Sequence, residues 1–305
     1  MTRRGLILFL SLGVAWGIPY LFIKIAVGEL EPAMVVLARS GLAAILLLPL
    51  ALYRREVVPV LRRWKPMLAY TLIEIVVPWF FLSSAEQHLP SSTAGLLLAA
   101  VPLAGVVVAF FLGRPAKLSG LNWVGIALGM LGVAALVGLD IGGSDLFAVG
   151  QMAFVVVGYA LGPAILSKWV PELPGVGVVA VSLAGAALFY VPVVFVTGAW
   201  PSEWPSTSVI VSIVVLAVIC SALAFLLMVA LISEIGPVRA TTITYVNPAV
   251  AIVAGVVVLH EGISVWTVVG FVLVLAGSWL VTRKRKDAVA ESAPAGPEEA
   301  SAELG

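Results

Sequence analysis

The chain has 305 residues, 62% of them hydrophobic and 11% charged, with a formal net charge of +1 at pH 7. A soluble core with a polar coat cannot be built from that composition, and the one cysteine, Cys220, excludes a disulfide framework or a cysteine-based metal site. Apolar stretches of about 20 residues span a bilayer of roughly 30 Å as helices. Ten such stretches follow one another, near 6–27, 33–53, 67–86, 92–112, 121–139, 147–167, 177–197, 209–231, 240–259 and 264–282. The first, behind Arg3 and Arg4, has the outline of a secretory leader. Its apolar run is too long for one, Lys24 sits near its end, no small-x-small cleavage site follows, and nine more stretches come after it.

Basic residues give the stretches a direction. Of seventeen Lys and Arg, fifteen fall at the two ends or in alternate gaps: Arg3, Arg4, Arg54, Arg55, Arg62, Arg63, Lys65, Arg114, Lys117, Lys168, Arg239 and the run Arg283 to Lys286. The remaining gaps hold none and carry Glu29, Glu31, Glu86, Asp140, Asp145, Glu203 and Glu261. Loops rich in Lys and Arg stay in the cytoplasm, so both termini are expected there. Trp64, Trp123, Trp169 and Trp279 on that side, and Trp200, Trp204 and Trp266 on the other, read as interfacial anchors. Residues 283–305 lack periodicity and large apolar groups, and read as a disordered cytoplasmic tail that starts at anionic headgroups.

The chain matches itself at an offset of about 145 residues. Pro19-x4-Lys24 in the first stretch corresponds to Pro163-x4-Lys168 in the sixth, Ala94-x7-Pro102 in the fourth to Ala240-x7-Pro248 in the ninth, and Gly125-x6-Gly132 in the fifth to Gly270-x6-Gly277 in the tenth. Five is odd, so the second copy must enter the membrane from the opposite side. The expected fold is therefore an all-α membrane protein of ten transmembrane helices in two inverted repeats, 1–139 and 147–282, followed by the tail.

The opening AWGIPYLFIKIAVGELEPAMVVLARSG, the stretch TAGLLLAAVPLAGVVVAFFLG, and ATTITYVNPAVAIVAGVVVLHEG followed by Gly270 and Gly277 resemble the two EamA domains of the drug/metabolite transporter superfamily. The Trp-Gly start, the Arg of the second helix and the mid-helix prolines of the fourth and ninth are all in place. The resemblance implies export of amino acids or other small metabolites through a central cavity between two five-helix halves. The loop GRPAKLSG lacks the acidic residue usual after the fourth helix, whereas Glu261 keeps it after the ninth.

Residues at hydrocarbon depth point to where that cavity lies. Trp16 and Trp79 are large rings whose indole N–H needs a partner, and Trp16, Tyr20 and Lys24 recur at i, i+4 and i+8 on one helical face. Aromatic packing against a neighbouring helix stays open as the alternative. Lys24 is close enough to an end to snorkel toward headgroups or Glu29. Arg39 and Glu74 are deeper, at about 10 and 12 Å from opposite surfaces, and must face protein or water. The spacing allows them to meet, as a structural pair or as a charge-coupling pair in which Glu74 carries a proton. Their symmetry positions, near Ala184 and Cys220, carry no charge.

Pro19, Pro78, Pro102, Pro163 and Pro248 lie inside the stretches and free the carbonyls four residues back, which makes them helix kinks and opens either a packing or a substrate-lining role. Around Pro248, the residues Thr241, Thr242, Thr244, Tyr245 and Asn247 form the most polar run in any stretch. The expected substrate cavity is thus Trp16, Tyr20, Trp79, Tyr159, Thr244, Tyr245 and Asn247. Gly13-x3-Gly17, Gly125-x3-Gly129 and Gly158-x3-Gly162 read as close helix contacts without chemistry.

No phosphate loop, metal-spaced His cluster or nucleophile elbow occurs, so neither an enzyme nor a cofactor-bearing or metal protein is expected, and transport would run on gradients or exchange. The expected setting is a prokaryotic plasma membrane. The expected partners are a small-molecule substrate and the bilayer, with a homodimer left open and no nucleic acid. Two other classes stay in view: an intramembrane lipid enzyme, for which Ser221, Cys220 and Glu74 come without a histidine, and a non-transporting scaffold with a dry centre.

Overall fold

The computed structural model describes residues 2–111, 120–136, 145–236 and 240–282, and the regular secondary structure among them is entirely helical. Eight helical stretches are long and apolar enough to cross a bilayer: Arg3–Ala26, Pro32–Tyr53, Trp64–His88, Ser91–Ala109, Leu146–Trp169, Gly175–Thr197, Thr207–Ile235 and Thr242–Leu259. Two apolar helices, Gly120–Ala135 and Val265–Val281, are shorter. In chain order these are the first to tenth segments, Gly120–Ala135 being the fifth and Val265–Val281 the tenth, and the chain is an all-helical membrane protein of about ten helices. Arg114, Lys117, Asp140, Arg239, residues 113–119 of the GRPAKLSG loop and the tail lie outside the described residues.

Large apolar side chains turn outward, among them Met130, Leu188, Phe195 and Val196. That surface suits acyl chains and is costly in water. The seven Trp residues expected as anchors are all exposed as well.

Because lipid tails are as apolar as leucine, segments associate through close packing and internal hydrogen bonds instead of water exclusion. The second segment runs along the seventh, the fourth along the ninth and the fifth along the tenth, while the third lies on the sixth and the first on the eighth. Glycines set the closest approach. A Cβ at Gly125 would sit 2.8 Å from the Gly277 carbonyl oxygen, and one at Gly277 would sit 2.5 Å from that of Gly125.

Four of the five expected prolines coincide with a local change of backbone. The first segment breaks at Ile18, between the helices Arg3–Gly17 and Pro19–Ala26. Thr71–Val76 widens to a π-helical turn before Pro78, and Leu98–Ala100 and Thr241–Tyr245 tighten to 3₁₀ turns before Pro102 and Pro248. Pro163 differs, since it sits inside the uninterrupted helix Leu146–Trp169. A second π turn, Val218–Leu223, has no proline behind it. Glu86, read from the sequence as a loop residue, is instead fully buried in the helix Val77–His88. The third segment runs two residues past its apolar stretch, to His88, and Lys24 of the first segment takes the carbonyls of Glu86 and Leu89 at that end.

Candidate functional site

Arg39 projects from the second segment into the interior, where it is 6% exposed. Its guanidinium carbon lies 3.7 Å from the centroid of the Trp79 ring on the third segment. Its Nε donates to Ser221 Oγ at 3.0 Å, and that hydroxyl donates to the Leu216 carbonyl at 2.8 Å within the π turn of the eighth segment. Tyr159 of the sixth segment lies beside Trp79. Tyr20 of the first segment lies with its ring against Gly95 of the fourth. The titratable groups that share the field of Arg39 are Cys220, Tyr159, Tyr20 and Glu86. Side chains from segments one, two, three, six and eight therefore meet around one cation.

That cation is only partly served. Stacking on a desolvated indole is worth about 2 kcal/mol and a hydrogen bond to a charged group about 1.5–3 kcal/mol. Taking an arginine out of water costs several kcal/mol even after relaxation. Among the described residues the two terminal nitrogens have no hydrogen-bond acceptor, and no carboxylate lies within ion-pair distance.

The expected meeting of Arg39 with Glu74 does not occur. Glu74 points at the sixth segment, where a Cβ at Gly162 would collide with its Oε2, and that oxygen is buried without a hydrogen-bond partner. The physical reason is local: Gly158 and Gly162 bring the sixth helix so close that the carboxylate fits only against bare backbone, while Arg39 is held on the other side by Trp79 and Ser221. Gly162, read as packing alone, is thus what makes room for the carboxylate.

Other expected cavity residues are dispersed. Trp16 meets Phe225 edge-on at 5.7 Å, Tyr245 donates its hydroxyl to the Ser278 carbonyl at 3.0 Å, and Asn247 keeps a buried Oδ1 without a partner. Thr244 is half-buried in the 3₁₀ turn before Pro248. A groove of about 450 Å³ lies at the chain's periphery, along Leu30, Met34, Trp200, Trp204 and Ile210, and none of the expected cavity residues lines it.

Three acids tie one end of the bundle. Lys24 does not reach Glu29; its Nζ donates to the carbonyls of Glu86 at 2.6 Å and Leu89 at 3.0 Å, the unpaired end of the third segment, where a cation also meets the negative end of the helix dipole. Glu86 Oε1 and Oε2 are buried and unpartnered, with Lys24, Glu261 and Arg39 as charged neighbours. Glu261 accepts from the backbone N–H of Ser91 at 2.7 Å and Ser92 at 3.0 Å, which caps the fourth segment from the loop after the ninth. Burial raises the Glu261 pKa, but those hydrogen bonds outweigh it and hold the carboxyl below its ordinary value. Glu29 is lowered too, by hydrogen bonds from Ser206.

Sequence reading missed Ser221, Gly162 and Glu86 as site residues. The one available signal was for Glu86, an acid two residues short of a helix end and facing the same depth as Lys24. Ser221 is an ordinary small residue until Arg39 reaches it.

Comparison with known proteins adds an independent line. The model of the EamA-like transporter family matches twice, over residues 3–138 and 146–283. The chain is 30% identical over 284 residues to an uncharacterised inner membrane transporter of Escherichia coli K12, YedA, covering 90% of this chain and 91% of that protein. It is 24% identical to the uncharacterised transporter YvbV of Bacillus subtilis, covering 93% of each. A crystal structure at 20% identity superposes with a TM-score of 0.67 over 92% of this chain and 98% of its own, which speaks for the fold.

Proposed function

We infer, for a chain that belongs to the EamA-like transporter family and is a membrane transporter, that it works as a secondary exporter of small metabolites such as amino acids by alternating access. The observation that carries this reading is the convergence of side chains from both family repeats on Arg39, a buried cation with no carboxylate in ion-pair range among the described residues. A site built across the seam of two repeats changes exposure when the repeats rock against each other. Inversion of the repeats is supported by the packing. Exchanging the halves turns the first–eighth contact into the third–sixth contact, and leaves the second–seventh, fourth–ninth and fifth–tenth contacts in place.

The family supports a non-enzymatic role, and the inner-membrane relative supports a multi-pass protein of a prokaryotic plasma membrane. Both termini are cytoplasmic in this reading, on the distribution of Lys and Arg. Cysteines introduced at the exposed positions His88 and Glu203 then react with an impermeant maleimide in intact cells, whereas those at Val58 and Glu172 do not; the reverse pattern removes the orientation.

Transport itself is tested in proteoliposomes loaded with radiolabelled amino acids, nucleosides or cationic drugs, with and without a proton gradient. Gradient-dependent or exchange-driven movement of one class is the expected result. A purified, folded protein that moves none of them would sink the transporter reading.

A further inference from the structure

We propose that Arg39 is the counter-charge for a carboxylate on the substrate, so that the transported class is small monocarboxylates, amino acids among them. The proposal rests on the transporter reading and adds the chemistry that the site selects.

Three contacts decide how the guanidinium is presented. Trp79 covers one of its faces at 3.7 Å. Ser221 Oγ takes its Nε–H at 3.0 Å and cannot turn away, because its own proton is committed to the Leu216 carbonyl at 2.8 Å. What remains is the fork of two terminal nitrogens, fixed in plane and bonded to none of the described residues. A planar fork of paired N–H donors matches the two oxygens of a carboxylate.

A structural explanation would need a carboxylate partner, and the described residues supply none there. The ion pairs among the described residues are Arg4–Glu234, Arg54–Glu56 and Arg63–Glu172, all at segment ends. Lys24 gives the contrast, since its ammonium is occupied by the carbonyls of Glu86 and Leu89. Arg39 is the interior cation whose two terminal nitrogens no described residue occupies.

Charge balance chooses between oxyanions. A phosphate monoester carries nearly two negative charges, and a bidentate arginine would accept it as readily as a carboxylate. None of the titratable groups that share the field of Arg39 is a second cation, and Lys24 is occupied by the carbonyls of Glu86 and Leu89. Glu86 lies within the field of Arg39, and Tyr159 lies within the fields of Arg39, Glu74 and Glu86 alike. A dianion paired with this arginine would keep one negative charge uncompensated in a buried site, whereas a monoanion is neutralised by it.

The test uses the full-length protein and a panel of amino acids and short hydroxy and aliphatic acids, each paired with its own amide, together with serine against phosphoserine. Binding is read as thermal stabilisation of the detergent-purified protein, and transport is read in proteoliposomes. At least one acid is expected to bind and move about tenfold or more better than its amide, Arg39→Gln to erase that preference, and Arg39→Lys to restore part of it. Ser221→Ala, which only loosens the fork, is expected to weaken the acid by a smaller factor and serves if Arg39→Gln does not fold. Amides handled as well as acids, a preference that survives Arg39→Gln, phosphoserine favoured over serine, or no acid bound at all would each overturn the assignment. Transport of nucleosides or cationic drugs with Arg39→Gln unaffected overturns it while the transporter reading stands. Acids that bind through Arg39 but never move support the site and remove the transporter reading.

Discussion

The third and eighth segments make the same backbone deviation from different sequences. Both widen to a π turn at matching positions, Thr71–Val76 and Val218–Leu223, and both return to α-helix through an N–H that reaches five residues back, Val77 to Leu72 and Ala224 to Ile219. In the third segment a proline follows, and the Val76 carbonyl is taken by the Tyr190 hydroxyl at 2.8 Å. In the eighth no proline is present, and Ser221 reaches back to Leu216 from inside the turn. The shape is shared because such turns occur where function needs an inward-facing side chain re-aimed. The chemistry is not shared: one turn carries Glu74 and the other the serine that holds Arg39.

The hardest way to break the comparison is to fill the space that only the third segment needs. Gly162→Val puts side-chain atoms where Glu74 Oε2 now lies. It is expected to destabilise by about 3 kcal/mol, near the top of the range for overpacking, read as a fall in the detergent unfolding temperature. Wild-type stability would show that the carboxylate has room elsewhere.

Next comes the eighth segment. Ser221→Ala removes the acceptor for Arg39 Nε and leaves a buried charged donor unserved, for an expected loss of about 1–3 kcal/mol. The same measurement on Ser233→Ala, whose hydroxyl is exposed and bonds only its own helix, should show almost no change. Equal effects would mean that Ser221 acts through its helix and not through Arg39.

A milder change separates folding from coupling. Glu74→Gln keeps the shape of a side chain whose Oε2 has no donor, so stability should move by less than about 1 kcal/mol. If Glu74 couples a proton, the dependence of transport on the proton gradient disappears in the folded variant. A folded variant with unchanged gradient dependence excludes that role.

The smallest effect concerns the cap that the fourth segment receives. Glu261 is held below its ordinary pKa by the Ser91 and Ser92 N–H groups, so its contribution is present above the ordinary carboxylate pKa and is lost as pH falls through the lowered one. Because it is only half-buried, Glu261→Gln should cost a few tenths to about 1 kcal/mol at pH 7. The difference between the two proteins should shrink as pH falls past the ordinary carboxylate value of about 4.3 and vanish once it is below the lowered one. A difference that persists there would assign the effect to packing.

Sequence alone determined the helical membrane class, the ten apolar segments and the duplication. Those depend on stretch length, composition and repeat spacing, which a bilayer of fixed thickness reads directly. It also found Arg39 and Glu74, because an ionised group in the middle of an apolar stretch is conspicuous wherever it points. It did not determine their partners. Arg39 and Glu74 are separated by depths that permit contact, and only the closeness of the sixth helix at Gly158 and Gly162 turned Glu74 away. Glu86 was read as a loop residue because sequence shows where apolarity ends, not where the helix ends. Ser221, Gly162 and the reach of Glu261 to the fourth segment became visible only in the tertiary structure, since each acts through a residue more than 80 positions distant that nothing local specifies.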